Sequence, residues 1–323
     1  MMWLYLPDVE LGTVTADLVG GKALGLCWLQ SCGFNVPPTW VLTTQVFEAM
    51  VQAAGLAEHI AVLEQATAGR PDWATTELAL RQMVGVHREL AEALRAAPLP
   101  EVVHLALQSL PQNESQWAVR SSATVEDAEV HSFAGQFKSF LSVPRGPQLV
   151  EAIREVWIST FDKTVLHYRA QHGTPMPRMA VVLQPMKPIT VEDRAGVAFS
   201  ESTISGLFGV LLQATFGAGL TVVSGGGGEL KCVRESGVTT RPVSTPYAMV
   251  TATEGGIQTT PLPPGNVLSD LEAFQLAQLV RDVAQRYGRP ADIEFVWRKS
   301  EDPVIVQVRA LTAPSGPQPD RTA

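Results

Sequence analysis

Two patterns of hydrophobic positions are interspersed along the chain, one with the period of a helix and one with the period of a strand. Apolar residues recur every three or four positions over residues 147–171, which predicts one long amphipathic helix. Residues 17–33 are predicted to form a glycine-rich loop that opens into a helix, and residues 44–99 to form two or three helices. Short apolar runs predict strands at residues 40–42, 116–120, 136–143, 179–186 and 195–199. Because helices and strands are mixed without regular alternation, the pattern predicts an α+β fold.

The C-terminal third carries the clearest local signals. Ser269 and Glu272 have the spacing of a capping box at the start of a helix, and Gly288 is placed to end that helix. Two strands follow at residues 292–297 and 304–309, joined by a short polar turn. These signals predict a helix followed by a β-hairpin.

Polar residues on the predicted hairpin suggest a site for a metal ion and a phosphate group. Side chains alternate along a strand, so Asp292 and Glu294 share one face, and Ile305, Gln307 and Arg309 are expected to share a face on the next strand. Carboxylate and amide oxygens suit Mg²⁺, and an arginine can hold a phosphate with two hydrogen bonds. The same spacing is also typical of an amphipathic sheet with a solvated polar face, and spacing alone leaves both interpretations open.

Two further segments have side chains suited to anions. Lys22 follows two glycines at the start of a predicted helix, where backbone N–H groups favour negative charge. Arg120 stands at the end of a predicted strand and precedes two serines. An exposed lysine beside a turn and a surface arginine at a strand end are the alternatives that the pattern leaves open.

Composition narrows the classes of function. The chain has 323 residues, with 32 acidic and 24 basic side chains and a formal net charge of -8. A nucleic-acid partner is not expected, because binding to a phosphate backbone needs clustered lysine and arginine. The three cysteines do not predict a set of disulfide bonds, and so small a number is typical of a reducing, cytoplasmic setting.

No membrane segment is expected either. Residues 202–228 form an uncharged run long enough to cross a bilayer, but seven hydroxyl or amide residues and eight glycines interrupt it. A buried strand and a glycine-rich turn explain the run better. The N-terminus lacks the basic and apolar regions of a secretory signal.

Five motifs extend along nearly the whole chain: VGGKALGL at 19–26, VRSSATVEDAEVHSFAGQ at 119–136, VVLQPM at 181–186, AGVAF at 195–199, and DIEFV with VIVQVRALT at 292–312. In this order they resemble one known family. That family is the N-terminal nucleotide-binding domain shared by phosphoenolpyruvate synthase, pyruvate phosphate dikinase and rifampin phosphotransferase, an ATP-grasp-type unit.

The resemblance implies an architecture of two lobes that enclose a nucleotide cleft. Residues 1–200 would form the N-terminal part with the Lys22 and Arg120 motifs, and residues 201–312 the C-terminal lobe with the hairpin. Residues 313–323, rich in proline and polar side chains, would be a flexible tail.

The resemblance also implies roles for residues that contact the nucleotide. Lys22, Arg120 and Arg309 match the family's phosphate-contacting cations and would be the catalytic residues. Gly135 and Ser139 match a loop that contacts the nucleotide, with serine where the family usually has threonine.

The remaining positions concern the adenine and the metal ion. Gln184 matches the strand that approaches the adenine end of the nucleotide. Glu294 and Gln307 match Mg²⁺ ligands, with Asp292 close by. The expected cofactors are therefore ATP and Mg²⁺.

Two departures from the family pattern affect the expected function. Gln213 and Leu220 stand where the family usually has carboxylates. No histidine lies in the setting of the family's phosphohistidine relay, so the unit is expected to be free-standing.

The resemblance then implies an ATP-dependent phosphotransferase. It would pass a phosphoryl or pyrophosphoryl group to a partner phosphohistidine protein or to a small molecule. The alternatives are a free-standing small-molecule kinase without any histidine relay and a non-catalytic ATP-binding regulatory subunit.

Overall fold

The structure is a computed structural model that describes most of the chain. The described residues are 2–67, 87–125, 136–172, 174–202, 204, 208–219, 222, 227–242, 248–253, 256–263 and 265–311. The predicted tail at 313–323 lies outside them. Within the described residues no single helix is long and apolar enough to span a membrane, although one pair of helices bent by 110°, Thr44–Ala53 with Ala57–Gln65, passes that test by length and composition together.

A five-stranded antiparallel sheet is built from strands that lie between residues 3 and 185. Its strands lie in the order β1-β2-β5-β3-β4. Their bounds are β1 Trp3–Tyr5, β2 Trp40–Leu42, β3 Gln116–Ala123, β4 Ser139–Pro144 and β5 Met179–Pro185. One face of this sheet buries Trp117, Val119 and Val181 in a core that also contains Ile153 and Trp157 of a helix.

A six-stranded antiparallel sheet is built from the second half, in the order β13-β12-β6-β7-β8-β9. Its strands are β6 Arg194–Phe199, β7 Val210–Phe216, β8 Glu229–Arg234, β9 Gly237–Pro242, β12 Ala291–Trp297 and β13 Val304–Ala310. A separate two-stranded sheet consists of β10 Ala248–Thr253 and β11 Gly256–Pro261. Because β6 belongs to the six-stranded sheet, the chain has left the first sheet before residue 200; the predicted division into lobes at that residue stays a prediction.

The helices pack on these sheets, and the mixture confirms the α+β class. Their bounds are α1 Ala16–Ser31, α2 Thr44–Ala53, α3 Ala57–Thr67, α4 over residues 87–96, α5 Glu101–Ser109, α6 Pro147–Ile158, α7 Lys163–His172 and α8 Asp270–Tyr287. The start and end of α8 are confirmed, since Ser269 and Glu272 form both hydrogen bonds of a capping box and Gly288 adopts the left-handed conformation.

The prediction of one unbroken helix over residues 147–171 is wrong. A 3-10 turn at Ser159–Phe161 and an extended backbone at Asp162 separate α6 from α7. The Ser159 hydroxyl donates to the carbonyl of Val156 and accepts from the backbone N–H of Lys138, so it ties this turn to the chain before β4. Hydrophobic periodicity continues through the turn and therefore does not reveal the break.

The strand that carries Arg120 is longer than predicted. Ser121, Ser122 and Ala123 continue β3 by pairing with Val181, Ala180 and Met179 of β5. Arg120 thus lies inside the strand and not at its end. The strand can continue through Ser121 and Ser122 because small hydroxyl side chains fit a buried strand when they have hydrogen-bond partners.

Helix α1 contacts both large sheets, through β3 and through β13. A kink at Gly20, with φ of 75°, allows the first turn of the helix to lie directly against β3. The Ser122 hydroxyl donates to the carbonyl of Val19 and accepts from the backbone N–H of Ala23, which holds both sides of the kink. A Cβ added at Gly20 would lie 2.0 Å from the carbonyl oxygen of Ser122, so no other residue fits there.

The hairpin of β12 and β13 contains a bulge that corrects one prediction. Glu294 pairs with Gln307 but the next residue, Phe295, pairs with Ile305, so Val306 is the extra residue. Ile305 is fully buried in the apolar core with Phe295 and does not share a face with Gln307 and Arg309. Strict alternation fails here because the bulge turns the strand between residues 305 and 307.

We expect Gly20→Ala to destabilise the chain by about 3 kcal/mol, because it combines a left-handed backbone with a clash against β3. Gly33→Ala is the matched control: its φ is 80° but nothing lies within 4 Å of an added Cβ, so only the backbone strain of about 1–2 kcal/mol is expected. Urea unfolding of both variants measures the difference. Equal losses would contradict the close packing of α1 on β3.

Candidate functional site

A cavity of about 710 Å³ is lined by residues of both large sheets and of α1. Its volume is within the roughly 300–1,000 Å³ typical of small-molecule sites. The structure brings most of the predicted site residues to its walls: Lys22, Arg120, Ser139, Gln184, Glu294, Gln307 and Arg309. Among the described residues, Asp292 is the predicted site residue that does not line it, and Gly135 lies outside the described residues.

Lys22 is placed by the kink of α1. The residue is only 4 % exposed, and its Nζ donates to the carbonyl oxygen of Ser121 at 2.7 Å. Because Ser122 holds the kink from the next position of β3, the lysine and the strand have a fixed relation. Helix α1 therefore places one cation, Lys22, at the cavity beside Arg120 of β3.

Arg120 reaches from the five-stranded sheet to the hairpin of the six-stranded sheet. Its Nη2 donates to Glu294 Oε2 at 2.8 Å and to Gln307 Oε1 at 3.2 Å. Its Nη1 donates to the carbonyl oxygen of Val306, the bulge residue, at 2.6 Å. The side chains of Arg120 and Glu294 are 11 % and 13 % exposed, so this ion pair is largely shielded from water.

Asp292 and Arg309 form a second ion pair on the same face of the hairpin. The Nε of Arg309 lies 2.8 Å from both carboxylate oxygens of Asp292. Burial raises the pKa of Asp292 to about 6, with Arg309 acting in the opposite direction and Glu294 adding to the rise. The carboxylate of Asp292 thus faces Arg309 and orients its guanidinium. The role of Asp292 as a metal ligand stays a prediction.

Gln184 and Ser139 lie on other strands of the first sheet. Gln184 is buried on β5, and its Nε2 donates to the hydroxyl of Thr39 at 2.9 Å. Ser139 opens β4 directly opposite Arg120. Both side chains are therefore held within one sheet, next to the strand that supplies the guanidinium.

Sequence reasoning missed the apolar part of the cavity wall. Val36, Pro38, Met186, Val296 and Val304 line it together with the polar residues. Alternation along β12 carried a signal for Val296, since this residue shares a face with Glu294. An apolar wall beside a cluster of charges suits a ligand with a flat apolar part and an anionic part.

The residues present fit a Mg²⁺ ion that is shared with phosphate groups. Among the described residues, no three His, Cys, Asp or Glu side chains come together as a metal cage. Glu294 and Gln307, which face each other across the hairpin, supply two oxygen donors. Mg²⁺ usually takes one or two protein oxygens and completes its shell with phosphate and water, so this small donor set suits it.

Of the two positions where the family usually has carboxylates, one can be located. Gln213 lies on β7 opposite Val197 of β6, which in turn lies opposite Glu294, so all three side chains share one face. The amide Nε2 of Gln213 contacts the carbonyl of Gly227 at 3.4 Å. Leu220 lies outside the described residues.

Comparison with known proteins decides the family. Residues 16–322 match the model of the pyruvate phosphate dikinase AMP/ATP-binding domain. The chain belongs to this family.

Named relatives carry the same domain within longer chains. This chain is 30% identical over 328 residues to a probable phosphoenolpyruvate synthase of Archaeoglobus fulgidus, covering 96% of this chain and 41% of that protein. It is 32% identical over 321 residues to a rifampicin phosphotransferase of Streptomyces sviceus, covering 95% and 36%. A probable phosphoenolpyruvate synthase of Methanocaldococcus jannaschii is 27% identical, covering 94% and 26%. The chain thus spans less than half the length of these relatives.

A solved structure of the D-cycloserine synthetase DcsG aligns over 89% of this chain and 61% of its own, with 10% identity and a TM-score of 0.26. A score that low supports no argument about this member of the dikinase domain family.

The shifted pKa of Asp292 predicts a pH-dependent stability. The folded-state pKa of about 6 lies above the unfolded value, so the folded chain holds this proton more tightly, and the contribution of Asp292 to the free energy of unfolding must fall as the pH rises from about 4 to about 6. Asp292→Asn removes this titration. The stability of the unsubstituted chain minus that of the variant should therefore decrease by about 3 kcal/mol across this window.

Urea unfolding at several pH values measures this difference. Asp282→Asn is the control, because it removes a carboxylate that is paired with Arg286 on the exposed surface and leaves Asp292 in place. A difference that grows with rising pH would mean that Arg309 outweighs burial.

Proposed function

We propose that this chain binds Mg-ATP in the cavity, between two lobes of ATP-grasp type, and transfers a phosphoryl or pyrophosphoryl group. The observation that carries the proposal is the convergence of Lys22, Arg120 and Arg309 on one cavity with the oxygen donors Glu294 and Gln307. These residues come from three distant segments of a chain whose formal net charge is -8. Membership of an AMP/ATP-binding family supports the same conclusion.

The polar side chains suit the anionic part of the nucleotide. Lys22, Arg120 and Arg309 would hold phosphate oxygens, with the two arginines able to form paired hydrogen bonds. Glu294 and Gln307 would hold the Mg²⁺ ion, which neutralises charge on the phosphate oxygens when bound. Gln184 and the apolar wall would contact the adenine. Catalysis would then consist of positioning and electrostatic stabilisation, as in phosphoryl transfer generally.

The transfer step conserves atoms and charge in either form. A nucleophilic nitrogen or oxygen of the acceptor forms a new bond to phosphorus while the bond to the leaving nucleotide oxygen breaks. Transfer of the γ-phosphoryl group leaves ADP, and transfer of the β,γ-pyrophosphoryl group leaves AMP. The acceptor's proton passes to solvent. The acceptor is a histidine of a partner protein or a small molecule, in which case the chain acts as a kinase without a histidine relay.

We expect label from ATP to move to the acceptor and Glu294→Gln to slow this transfer at least about 100-fold, because a metal-holding carboxylate is lost at the charged centre. ATP labelled at the β or γ position, incubated with candidate proteins and small molecules, measures transfer. A γ-label alone in the product indicates phosphoryl transfer, and both labels indicate pyrophosphoryl transfer.

The control is Glu235→Gln, the same substitution on the exposed turn between β8 and β9. Equal rates for the two variants would contradict the role of Glu294. Retention of both labels in ATP with every acceptor would contradict transfer itself.

A second candidate is a non-catalytic subunit that binds ATP to stabilise or regulate a complex. The observation that favours it is Gln213, an amide at a position where a carboxylate is the family's usual residue. This candidate predicts stabilisation by ATP, about 3 kcal/mol at a hundredfold excess over Kd, without label transfer. It also predicts that Glu294→Gln leaves this stabilisation largely unchanged.

A further inference from the structure

The oxygen atoms proposed to hold the metal ion already have a cation between them. Nη2 of Arg120 bridges Glu294 Oε2 at 2.8 Å and Gln307 Oε1 at 3.2 Å. A metal ion held by these same two oxygens would need the space that Nη2 occupies, so the guanidinium and the metal would compete for one position.

The bulge in the hairpin strengthens this arrangement. It makes Val306 the extra residue of β13, and the carbonyl of Val306 accepts from Nη1 of Arg120 at 2.6 Å. Three oxygens from two strands thus receive hydrogen bonds from one planar group, which is a geometry that arginine provides and lysine does not. Arg309, on the same face, directs its Nε to Asp292.

We infer that Arg120 is the counter-cation of the metal site when nucleotide is absent, and that it makes the binding of divalent metal and of nucleotide interdependent. Phosphate groups would draw the guanidinium away from Glu294, and this carboxylate would then be available to hold the metal. The inference rests on the proposed function, and it assigns Arg120 a regulatory role beyond contact with phosphate.

The burial of the ion pair gives the physical reason for the coupling. Glu294 is only 13 % exposed, so its carboxylate is costly to leave without a positive partner. Nucleotide alone would leave this carboxylate without a positive partner, and metal alone would have to displace a bound guanidinium. When both bind, each charge keeps a partner. By thermodynamic linkage, the metal raises the affinity for nucleotide by the same factor as the nucleotide raises the affinity for metal.

The decisive experiment measures metal binding without nucleotide. Mn²⁺ is the probe, and electron paramagnetic resonance counts the free ion. Arg120→Met should tighten Mn²⁺ binding by about 5- to 150-fold, the usual range of coupling between sites, while it weakens the binding of ATP. A gain for one ligand and a loss for the other from one substitution would not arise from general damage to the fold.

Two further variants identify the cause of the gain. Lys22→Met removes one positive charge from the same cavity, but the Nζ of Lys22 donates to the carbonyl of Ser121 on β3, so a gain in Mn²⁺ affinity clearly smaller than that of Arg120→Met is expected. Adding Glu294→Gln to Arg120→Met should abolish the gain. An Mn²⁺ affinity that stays equal or falls in Arg120→Met overturns the inference, and so does an equal gain in Lys22→Met.

A milder variant covers the case in which Arg120→Met does not fold, as judged by circular dichroism and thermal unfolding. Arg120→Lys keeps the charge but loses the planar fork, so a smaller gain in Mn²⁺ affinity is expected, and no gain overturns the inference.

A separate comparison distinguishes this inference from the proposed function. The ratio of the ATP affinity with Mn²⁺ to the ATP affinity without Mn²⁺ should be larger for the unsubstituted chain than for the arginine variants. Mn²⁺ also associates with ATP in solution, but this effect is the same for every variant and cancels in the comparison. Absence of ATP binding under every condition contradicts the proposed function. ATP binding with equal ratios contradicts the inference alone.

Discussion

One guanidinium joins the two large sheets of this protein. Arg120 starts from β3 of the five-stranded sheet and donates to a carboxylate, an amide and a backbone carbonyl of the β12–β13 hairpin. Because the ion pair is largely shielded from water, its contribution depends on geometry more than an exposed pair would. The bulge at Val306 and the position of β3 must both be correct for these contacts to form, so the site and the arrangement of the sheets depend on the same interaction.

Helix α1 is the second element that relates the sheets. It contacts β3 and β13, and its kink at Gly20 brings Lys22 to the same strand that carries Arg120. A glycine is required there because the backbone has a positive φ and lies against the carbonyl of Ser122. Lys22 and Arg120 are thus placed by backbone packing. This packing brings two positive charges together in a chain that is acidic as a whole.

One transverse row of the six-stranded sheet contains both Glu294 and Gln213. Glu294 on β12 is followed by Val197 on β6, Gln213 on β7 and Leu230 on β8 in one transverse row. Val197, Gln213 and Leu230 carry no charge, and the row continues to Arg241 on β9. The position of the replaced carboxylate, Gln213, is therefore separated from Glu294 by one uncharged residue, Val197.

Local signals in the sequence determined the elements that depend on neighbours a few residues apart. The capping box at Ser269, the end of α8 at Gly288 and the alternation of Asp292 and Glu294 are of this kind, and the family motifs extended them to a list of site residues. Periodicity did not reveal the break before α7 or the burial of Ile305, because a turn and a bulge preserve the apolar pattern while they change the backbone. Only the tertiary structure decided that Arg120 pairs with Glu294, 174 residues away, since such a pair is set by how two sheets pack and not by any spacing along the chain.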